Sequence, residues 1–256
     1  MKPSEHLREG KRNLAAAEAA INAALKNRKD RSRATLNRQL HEIRLHSPDY
    51  RYTSQAGQDA VIDRLFGGKP GTFVDVGGFD GITGSNTLFL EVFRGWTGAL
   101  VEPVPRNLQK AKTVRRCPCL GFAVSKNDGA ASFIEVQQGY TQMSGLAESY
   151  DTNMLAKVRA DQRHKEEVIE VETRRLSTLL LDLDIPHPDF ISLDIEGGEV
   201  QCLEDFPFAV HRVKSWSIEN NISGSEIPAI MRANGYELIE FCGPDDLFVH
   251  RDFVKI

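Results

Sequence analysis

Carboxylates at the ends of predicted strands are the residues of this sequence whose spacing most directly indicates chemistry. Asp75 lies in the apolar run 72–76, which leads into a glycine-rich turn at 77–81, and Glu102 follows the next apolar run. A strand, a glycine turn, a helix and a second strand that ends in an acid form the βαβ unit of nucleotide-handling folds. The terminal acid of such a unit accepts hydrogen bonds from ribose hydroxyls, so the sequence predicts a bound nucleoside.

Asp75 and Asp80, the acids of the glycine turn, indicate which nucleoside is bound. A dinucleotide presents a pyrophosphate, which binds bare amides at a helix N-terminus and would be repelled by two carboxylates. S-adenosylmethionine carries a sulfonium and an ammonium group and no phosphate, so the two acids favour this methyl donor over NAD. The alternative is that each aspartate only caps a helix or stabilises a turn.

A second group of polar residues follows two later strands. Asp194 and Glu196 end one apolar run, Glu219 and Asn220 end the next, and such ends meet at one edge of a parallel sheet. Asp194 or Glu196 is predicted to take the proton of an acceptor hydroxyl. Asp194, Glu219 and Asn220 offer the oxygen ligands that Mg²⁺ or another divalent cation prefers, or they bind the acceptor and cap loops without a metal. Glu199 is expected on a helix surface.

The elements that position these residues alternate between strand and helix. Core strands are predicted at 72–76, 98–101, 120–124, 190–194 and 213–219, a further strand at 131–136, and a closing hairpin at 236–241 and 246–249. This alternation predicts a parallel sheet covered by helices on both faces. Residues 138–170 are polar and weakly periodic, so they are predicted to form an insertion or lid.

The N-terminal segment differs from the rest of the chain. Its first 40 residues carry a charge of +6, whereas the remaining residues carry −10. Apolar residues at helical spacing predict one or two exposed helices over 1–48, ahead of a catalytic domain at 49–256. This extension packs against the domain or a second copy of the chain, which makes a homo-oligomer an expectation, or it docks an anionic partner.

Bulk properties exclude several classes of protein. The chain has 256 residues, 41% of them hydrophobic, and a net charge of −4, which gives no general case for nucleic-acid binding. No apolar run approaches the ~20 residues that span a bilayer, and the N-terminus has no apolar signal core. Four cysteines do not make a disulfide framework in a chain of this length. A cytoplasmic protein is therefore expected.

Several motifs in a fixed order also carry a family resemblance. They are Ser54–Asp59, Phe73–Gly81, Gly84–Thr87, Gly95–Gly98, Val101–Pro103, Asp189–Glu199, and the closing Gly235-Tyr236 with Asp245–Val249. Over about residues 50–252 the chain resembles the FkbM family of S-adenosylmethionine-dependent methyltransferases. The resemblance implies an α/β class I methyltransferase fold, with a Rossmann-like, seven-stranded, mostly parallel sheet. It also implies O-methylation of sugars, glycan precursors or natural-product scaffolds.

The resemblance further implies roles for individual residues in binding the donor. Asp75, Gly77 and Asp80 would frame its methionine part, and Asp194 would lie beside its sulfonium. Glu102 would accept both ribose hydroxyls. The other implied contacts are Pro103 and Ala123 beside adenine, Ser85 and Asn86 at the donor carboxylate, and Gln58 at the edge of the site. Ser85 and Asn86 alternatively cap the next helix, and Gln58 alternatively caps its own.

A separate resemblance, which the FkbM family does not demand, concerns the polar residues at the later strand ends. Asp194, Glu219 and Asn220 resemble the Asp/Asp/Asn metal site of catechol-type O-methyltransferases, with Glu in place of the second Asp. Two other functions remain open at this point. One is a catalytically idle donor-binding module that acts through the basic N-terminal helices. The other is an NAD-dependent enzyme of similar topology.

Overall fold

The computed structural model describes residues 2–221 and 224–253. Its helices are α1 (Pro3–Asn27), α2 (Ser32–Arg44), α3 (Gln58–Leu65), α4 (Leu88–Arg94), α5 (Pro105–Val114), α6 (Thr152–Arg159), α7 (Leu176–Asp182), α8 (Glu199–Glu204) and α9 (Glu226–Ala233). Its strands are β1 (Thr72–Val76), β2 (Thr97–Val101), β3 (Cys119–Leu120), β4 (Ala123–Val124), β5 (Gly129–Gln138), β6 (Gly145–Leu146), β7 (Lys165–Arg174), β8 (Phe190–Leu193), β9 (Ser215–Glu219), β10 (Tyr236–Cys242) and β11 (Asp245–His250).

Seven of these strands form the main sheet, in the order β10-β11-β9-β8-β1-β2-β3. The pairs β1–β2, β1–β8, β2–β3 and β8–β9 are parallel, whereas β11 is antiparallel to both β9 and β10. The predicted α/β fold with a seven-stranded, mostly parallel sheet and a closing hairpin is confirmed. The strand order reverses direction beside β1, and ligands bind at such a switch point, beyond the carboxyl ends of the strands.

A second, four-stranded sheet, in the order β4-β7-β5-β6, corrects the prediction of a single strand at 120–124. The expected strand 120–124 is divided: β3 stays in the main sheet, and β4 pairs with β7 in the smaller one. Residues 138–170, predicted as an insertion or lid, contain β6, α6 and the first part of β7. Long pairing between β5 and β7 organises this part of the chain.

Alternate residues of the central strands fill two cores, one on each face of the main sheet. Phe73 and Phe190 pack on one face with Leu90 of α4. Val74 and Ile191, the next residues of the same two strands, pack on the other face in the larger core. This alternation follows from the two-residue period of strands and places helices on both faces.

The N-terminal helices form a pair in which α2 binds the domain and α1 covers α2. No residue of α1 is buried, and Arg44 of α2 donates to Glu18 of α1 at 2.8 Å. Arg31 forms an ion pair with Asp246 of β11, and Asn37 donates to the Phe241 carbonyl at 2.7 Å. Within the described residues, no helix has both the length and the apolar character that a bilayer crossing requires.

Candidate functional site

A cavity of about 370 Å³ opens at the carboxyl ends of the central strands, where the topology predicts a ligand. Its volume lies in the range of small-molecule sites. Strands β1, β2, β8 and β9 contribute acids to its lining, namely Asp75, Glu102, Asp194, Glu196 and Glu219. The cavity therefore brings together both groups of carboxylates that the sequence singles out.

Gly77 lets two neighbouring strands approach each other beneath this cavity. Its φ is +82°, and a Cβ built on it would lie 1.7 Å from the Asp194 carbonyl oxygen. The Gly77 and Gly78 amides both donate to the Val101 carbonyl, at 3.0 and 3.1 Å. The glycines are therefore required for the close approach of backbone segments that shape the cavity floor.

Glu102 is a buried acceptor in the cavity wall. Its Oε1 accepts hydrogen bonds from the Val104 amide at 2.9 Å and from Asn107 Nδ2 at 3.4 Å. These contacts fix the carboxyl group and leave Oε2 to accept from a ligand. Burial raises the pKa of Glu102 to about 7. A buried carboxyl of this kind is stabilised by donors such as hydroxyl groups.

Apolar side chains surround the space beyond Glu102. Pro103 and Ala123, both predicted beside adenine, line the cavity, as do Phe122 and Phe133. The smaller sheet supplies Phe133, together with Met143 from the loop after β5. Sequence reasoning missed Phe122 and Phe133, because only the divided third strand brings the smaller sheet over the cavity. This apolar end suits a flat, largely apolar ring such as a purine.

Asp75 lines the cavity and is held from behind by a buried network. Thr87 Oγ1 donates to its Oδ2, and Arg115 Nη1 lies 3.5 Å from the same oxygen. Arg115 also donates to Glu91 at 2.5 Å. Burial raises the pKa of Asp75, while the Arg115 guanidinium opposes this change. Two contacts on one oxygen fix the orientation of the Asp75 carboxyl group.

Ser85 and Asn86 line the cavity, and their hydrogen bonds decide which atoms each can offer to a ligand. Ser85 Oγ accepts from the Leu88 amide at 3.1 Å, as a helix-capping residue does. Asn86 Nδ2 donates to Ser192 Oγ at 3.0 Å and to Asp245 Oδ2 at 3.2 Å. Its Oδ1 is buried and has no hydrogen-bond partner within residues 2–221 and 224–253. An unpartnered buried oxygen beside a cavity is suited to accept from a ligand donor.

Asp194, Glu196 and Glu219 form a cluster, with one carboxylate oxygen from each lying within 4.8 Å of the others. Burial, followed by the repulsion of neighbouring carboxylates, raises the pKa of all three groups. Glu219 Oε2 is buried and has no hydrogen-bond partner among the described residues. Three carboxyl groups this close are all ionised only when a cation offsets their charge. Without a cation, at least one of them holds a proton.

The loop between Asp194 and α8 is tightly constrained. Glu196 has a φ of +58°, in the left-handed region, and such strain is typical of functional sites. Glu199 accepts from the Ile195 amide at 2.9 Å and from the Gly197 amide at 3.0 Å. The expectation that Glu199 faces a helix surface is wrong, because its side chain is buried and organises this loop.

Asp80 and Gln58 were predicted in the site, but their side chains accept hydrogen bonds outside the cavity. Asp80 Oδ1 accepts from the Thr83 amide at 2.8 Å, which is the turn-forming alternative, and the residue does not line the cavity. Gln58 accepts from the Ala56 amide at 2.8 Å and also lies outside the cavity.

Asn220 does not join the carboxylate cluster. Its amide nitrogen donates to Asp246 Oδ2 at 2.8 Å, and its oxygen accepts from the Gly224 amide at 3.0 Å. Glu196, which was predicted as a base and not as a metal ligand, lies beside Asp194 and Glu219. The sequence could not show this difference, because the competing partners lie on β11 and after β9.

Comparison with known proteins identifies a family over most of the chain. A model of the methyltransferase FkbM domain matches residues 75–238. No curated protein sequence matches the chain.

Comparison with solved structures also finds similar chains. The chain is similar to the methyltransferase FkbM from Methylobacillus flagellatus KT, with 16% identity, a TM-score of 0.48 and 92% of this chain covered. It spans 58% of the length of that protein. It is also similar to the N-terminal domain of human METTL16, with 12% identity and a TM-score of 0.39. That match covers 75% of this chain and 67% of the METTL16 chain. A third similar structure is the precorrin-6y C5,15-methyltransferase from Geobacter metallireducens GS-15, with 9% identity and a TM-score of 0.42. That match covers 77% of this chain and 88% of the other.

Proposed function

This chain belongs to the FkbM methyltransferase family, and we propose that it transfers a methyl group from S-adenosylmethionine to a hydroxyl group. The acceptor is a sugar, a glycan precursor or a natural-product scaffold. One observation carries the proposal: a single cavity places the Glu102 carboxyl beside an apolar compartment and the Asp194 cluster at other strand ends. Nucleoside recognition and proton transfer from an acceptor therefore have separate groups within one site.

The residues around Glu102 recognise the nucleoside. Glu102 accepts the ribose hydroxyls through the oxygen that Val104 and Asn107 leave available. Phe122 and Phe133 enclose the adenine, with Pro103 and Ala123 at its edges. An apolar compartment with a few fixed polar groups is the usual composition of such a site. Apart from Arg38, the charged residues among the described lining are carboxylates, which would repel a pyrophosphate.

The residues at the other end hold the methionine part and the acceptor. Asp75 and the free Oδ1 of Asn86 accept from the ammonium group of the donor. When it is bound, the donor supplies an electrophilic methyl group. Asp194, or Glu196 beside it, takes the proton of the acceptor hydroxyl, since a carboxyl whose pKa is raised is a stronger base. Holding the acceptor oxygen in line with the methyl group supplies most of the remaining rate enhancement.

The carboxylate cluster also suits a divalent cation, and we propose that Asp194, Glu196 and Glu219 hold Mg²⁺ or a similar ion. The unpartnered Glu219 Oε2 fits this role, because hard oxygen atoms are the ligands that such ions prefer. The ion would hold the acceptor oxygen and lower the pKa of its hydroxyl group. Without the ion, a proton shared by the three carboxyl groups reduces their mutual repulsion.

A titration of the protein with MgCl₂, followed by calorimetry and by turnover before and after EDTA, tests the cation. We expect saturable binding that Glu219→Gln removes and that Glu204→Gln, an exposed acid at the end of α8, leaves unchanged. Equal binding by both variants would remove the cation from this site.

The acidic walls and the thiols bear on the acceptor and on the location of the protein. Asp194, Glu196 and Glu219 repel phosphodiesters, so we propose a small-molecule or glycan acceptor and no nucleic acid.

All four cysteines are free, which suits the reducing cytoplasm in which we place the protein. Exposed apolar residues of α1, such as Leu7, keep self-association through these helices as a prediction. Family membership removes the support for the NAD-dependent alternative.

The reaction is tested with S-adenosylmethionine labelled with carbon-13 in its methyl group and a panel of sugar, glycan and phenolic acceptors. We expect a new carbon resonance at the shift of a methyl ether. A label on nitrogen or carbon would contradict O-methylation. Donor binding without turnover on any acceptor would favour the idle interaction module.

A further inference from the structure

The N-terminal helix α2 contributes a cation to a cavity whose other charged groups are acids. The charged residues that line the cavity are Asp75, Glu102, Asp194, Glu196, Glu219 and Arg38, so Arg38 carries the one positive charge among the described lining residues. Arg38 precedes the matched family domain, which begins at residue 75. Neither the family match nor the motifs of the sequence assign it a role.

The proposed donor needs such a cation. S-adenosylmethionine ends in a carboxylate, and the acids of the cavity would repel this group unless a positive charge lay nearby. Ser85, one of the residues predicted at the carboxylate, accepts from the Leu88 amide and can offer only a neutral hydroxyl donor, which supplies no positive charge. Asn86 has its nitrogen engaged by Ser192 and Asp245, which leaves its oxygen, an acceptor that does not bind a carboxylate.

Contacts that precede Arg38 in the chain fix the first turns of α2 beside the cavity. Arg31 donates to the carbonyls of Asn220 at 3.0 Å and of Pro244 at 2.8 Å. Ala34, one helical turn before Arg38, accepts from the Gly243 amide at 3.3 Å. Residues four apart share a face of a helix, so Arg38 lies on the face that contacts the hairpin beside the cavity.

The guanidinium group of Arg38 is free to take a ligand. Its side chain is 55% exposed, and its ion pair with Glu42 has an N–O distance of 3.5 Å. Exposed pairs of this kind contribute little to stability, so Arg38 can exchange Glu42 for another carboxylate at small cost. Arg33 differs, because Glu240 holds it in a short ion pair.

We propose that Arg38 binds the carboxylate of the methyl donor, so that the N-terminal helical segment completes the donor site. This inference rests on the proposed function. It also explains part of the positive charge of the segment: Arg31 and Arg33 attach α2 to acids of the domain, and Arg38 is directed to the ligand. The segment is thus part of the donor site and not an arm for an anionic partner.

The test compares the affinities of S-adenosylmethionine and decarboxylated S-adenosylmethionine for the wild type and Arg38→Ala, by calorimetry at low salt. We expect Arg38→Ala to weaken the binding of S-adenosylmethionine about 10-fold, as for a charge-assisted hydrogen bond. It should change the affinity for the decarboxylated compound less than about 2-fold, since this compound lacks the group that Arg38 binds.

Two control variants accompany the test. Arg28→Ala removes an exposed arginine between α1 and α2 whose side chain contacts Ser32, and both affinities should stay unchanged. Glu42→Gln releases Arg38 from its ion pair and should keep or increase the affinity for S-adenosylmethionine.

Unchanged affinity of Arg38→Ala for S-adenosylmethionine would overturn the proposal, and so would an equal loss for both compounds. A folded wild type that binds neither compound would instead overturn the proposed function.

Discussion

Arg115 Nη1 lies 3.5 Å from Asp75 Oδ2, and this contact connects the cavity to a buried network of charges. Both side chains are almost completely buried, and Glu91, which accepts from Arg115 Nε, is buried as well. One guanidinium group thus balances two carboxylates that belong to β1 and α4. The position of Asp75 in the cavity therefore depends on a residue that follows α5.

Replacing Arg115 tests this dependence. Arg115→Met leaves Glu91 and Asp75 buried without their partner, so we expect the free energy of unfolding to fall by about 3–5 kcal/mol. Denaturant titration measures the change. Arg116→Ala, at the exposed neighbouring residue, should stay within about 0.5 kcal/mol of the wild type. Similar effects of the two substitutions would show that the buried network does not stabilise the fold.

Replacing Gly77 by alanine tests the close approach of β1 and the segment that follows β8. Gly77→Ala places a methyl group on the Asp194 carbonyl oxygen and keeps a left-handed φ, which by itself costs about 1–2 kcal/mol. We expect a larger loss of stability and a loss of donor affinity, measured by thermal unfolding and calorimetry. Gly10→Ala in α1 meets no atom within 4 Å and should stabilise the helix by about 0.5–1 kcal/mol. A stable Gly77→Ala protein with full donor affinity would contradict the described geometry.

The raised pKa of Glu102 predicts how the free energy of unfolding changes with pH in the absence of donor. Its pKa is raised from 4.5 to about 7, so the folded chain binds more protons than the unfolded chain between these values. The free energy of unfolding should therefore fall as pH rises from 4.5 to 7, by up to roughly 3 kcal/mol from this group. Denaturant titrations across this range measure the slope.

Two glutamine variants separate this contribution from that of other acids. Glu102→Gln should flatten the slope, whereas Glu148→Gln, at an exposed position, should leave it unchanged. The same slope in Glu102→Gln and the wild type would mean that the Glu102 carboxyl ionises normally.

Asp194 tests the chemistry of the carboxylate cluster. Asp194→Asn removes the base or a metal ligand and keeps the shape of the side chain, so turnover should fall about 10²–10⁴-fold. The dissociation constant of S-adenosylmethionine should change far less. Asp205→Asn, at the exposed end of α8, is the matched control and should keep full turnover. Turnover near the wild-type value in Asp194→Asn would exclude both roles.

The parts of the site that the sequence predicted are those fixed by strand ends. Glu102 and Asp194 follow long apolar strands in a topology that brings carboxyl ends together, so local sequence was enough to place them. Asp80 was predicted beside the methionine part of the donor, but its carboxylate accepts from the Thr83 amide, because a short-range turn can use the same group as a ligand. Asn220 was predicted as a metal ligand, but its oxygen accepts from the Gly224 amide and its nitrogen donates to Asp246, which is distant in sequence.

Other features depend on pairing between distant segments. The divided third strand depends on β7, whose residues 165–174 pair with both β4 and β5. Arg38 reaches the cavity only because Arg31 and Asn37 bind the closing hairpin more than 200 residues later. Such contacts carry no local pattern of residues, so periodicity and spacing did not reveal them.

The central claim is that the cavity beside Glu102 binds the nucleoside of the methyl donor. The most direct measurement is a calorimetric titration with S-adenosylhomocysteine, the product form of the donor, for the wild type and Glu102→Ala. We predict one site per chain, with affinity weakened by about 1–3 kcal/mol in the variant, because its ribose partners lose a buried acceptor. Equal affinities of the two folded proteins, or no binding by the wild type, would contradict the claim.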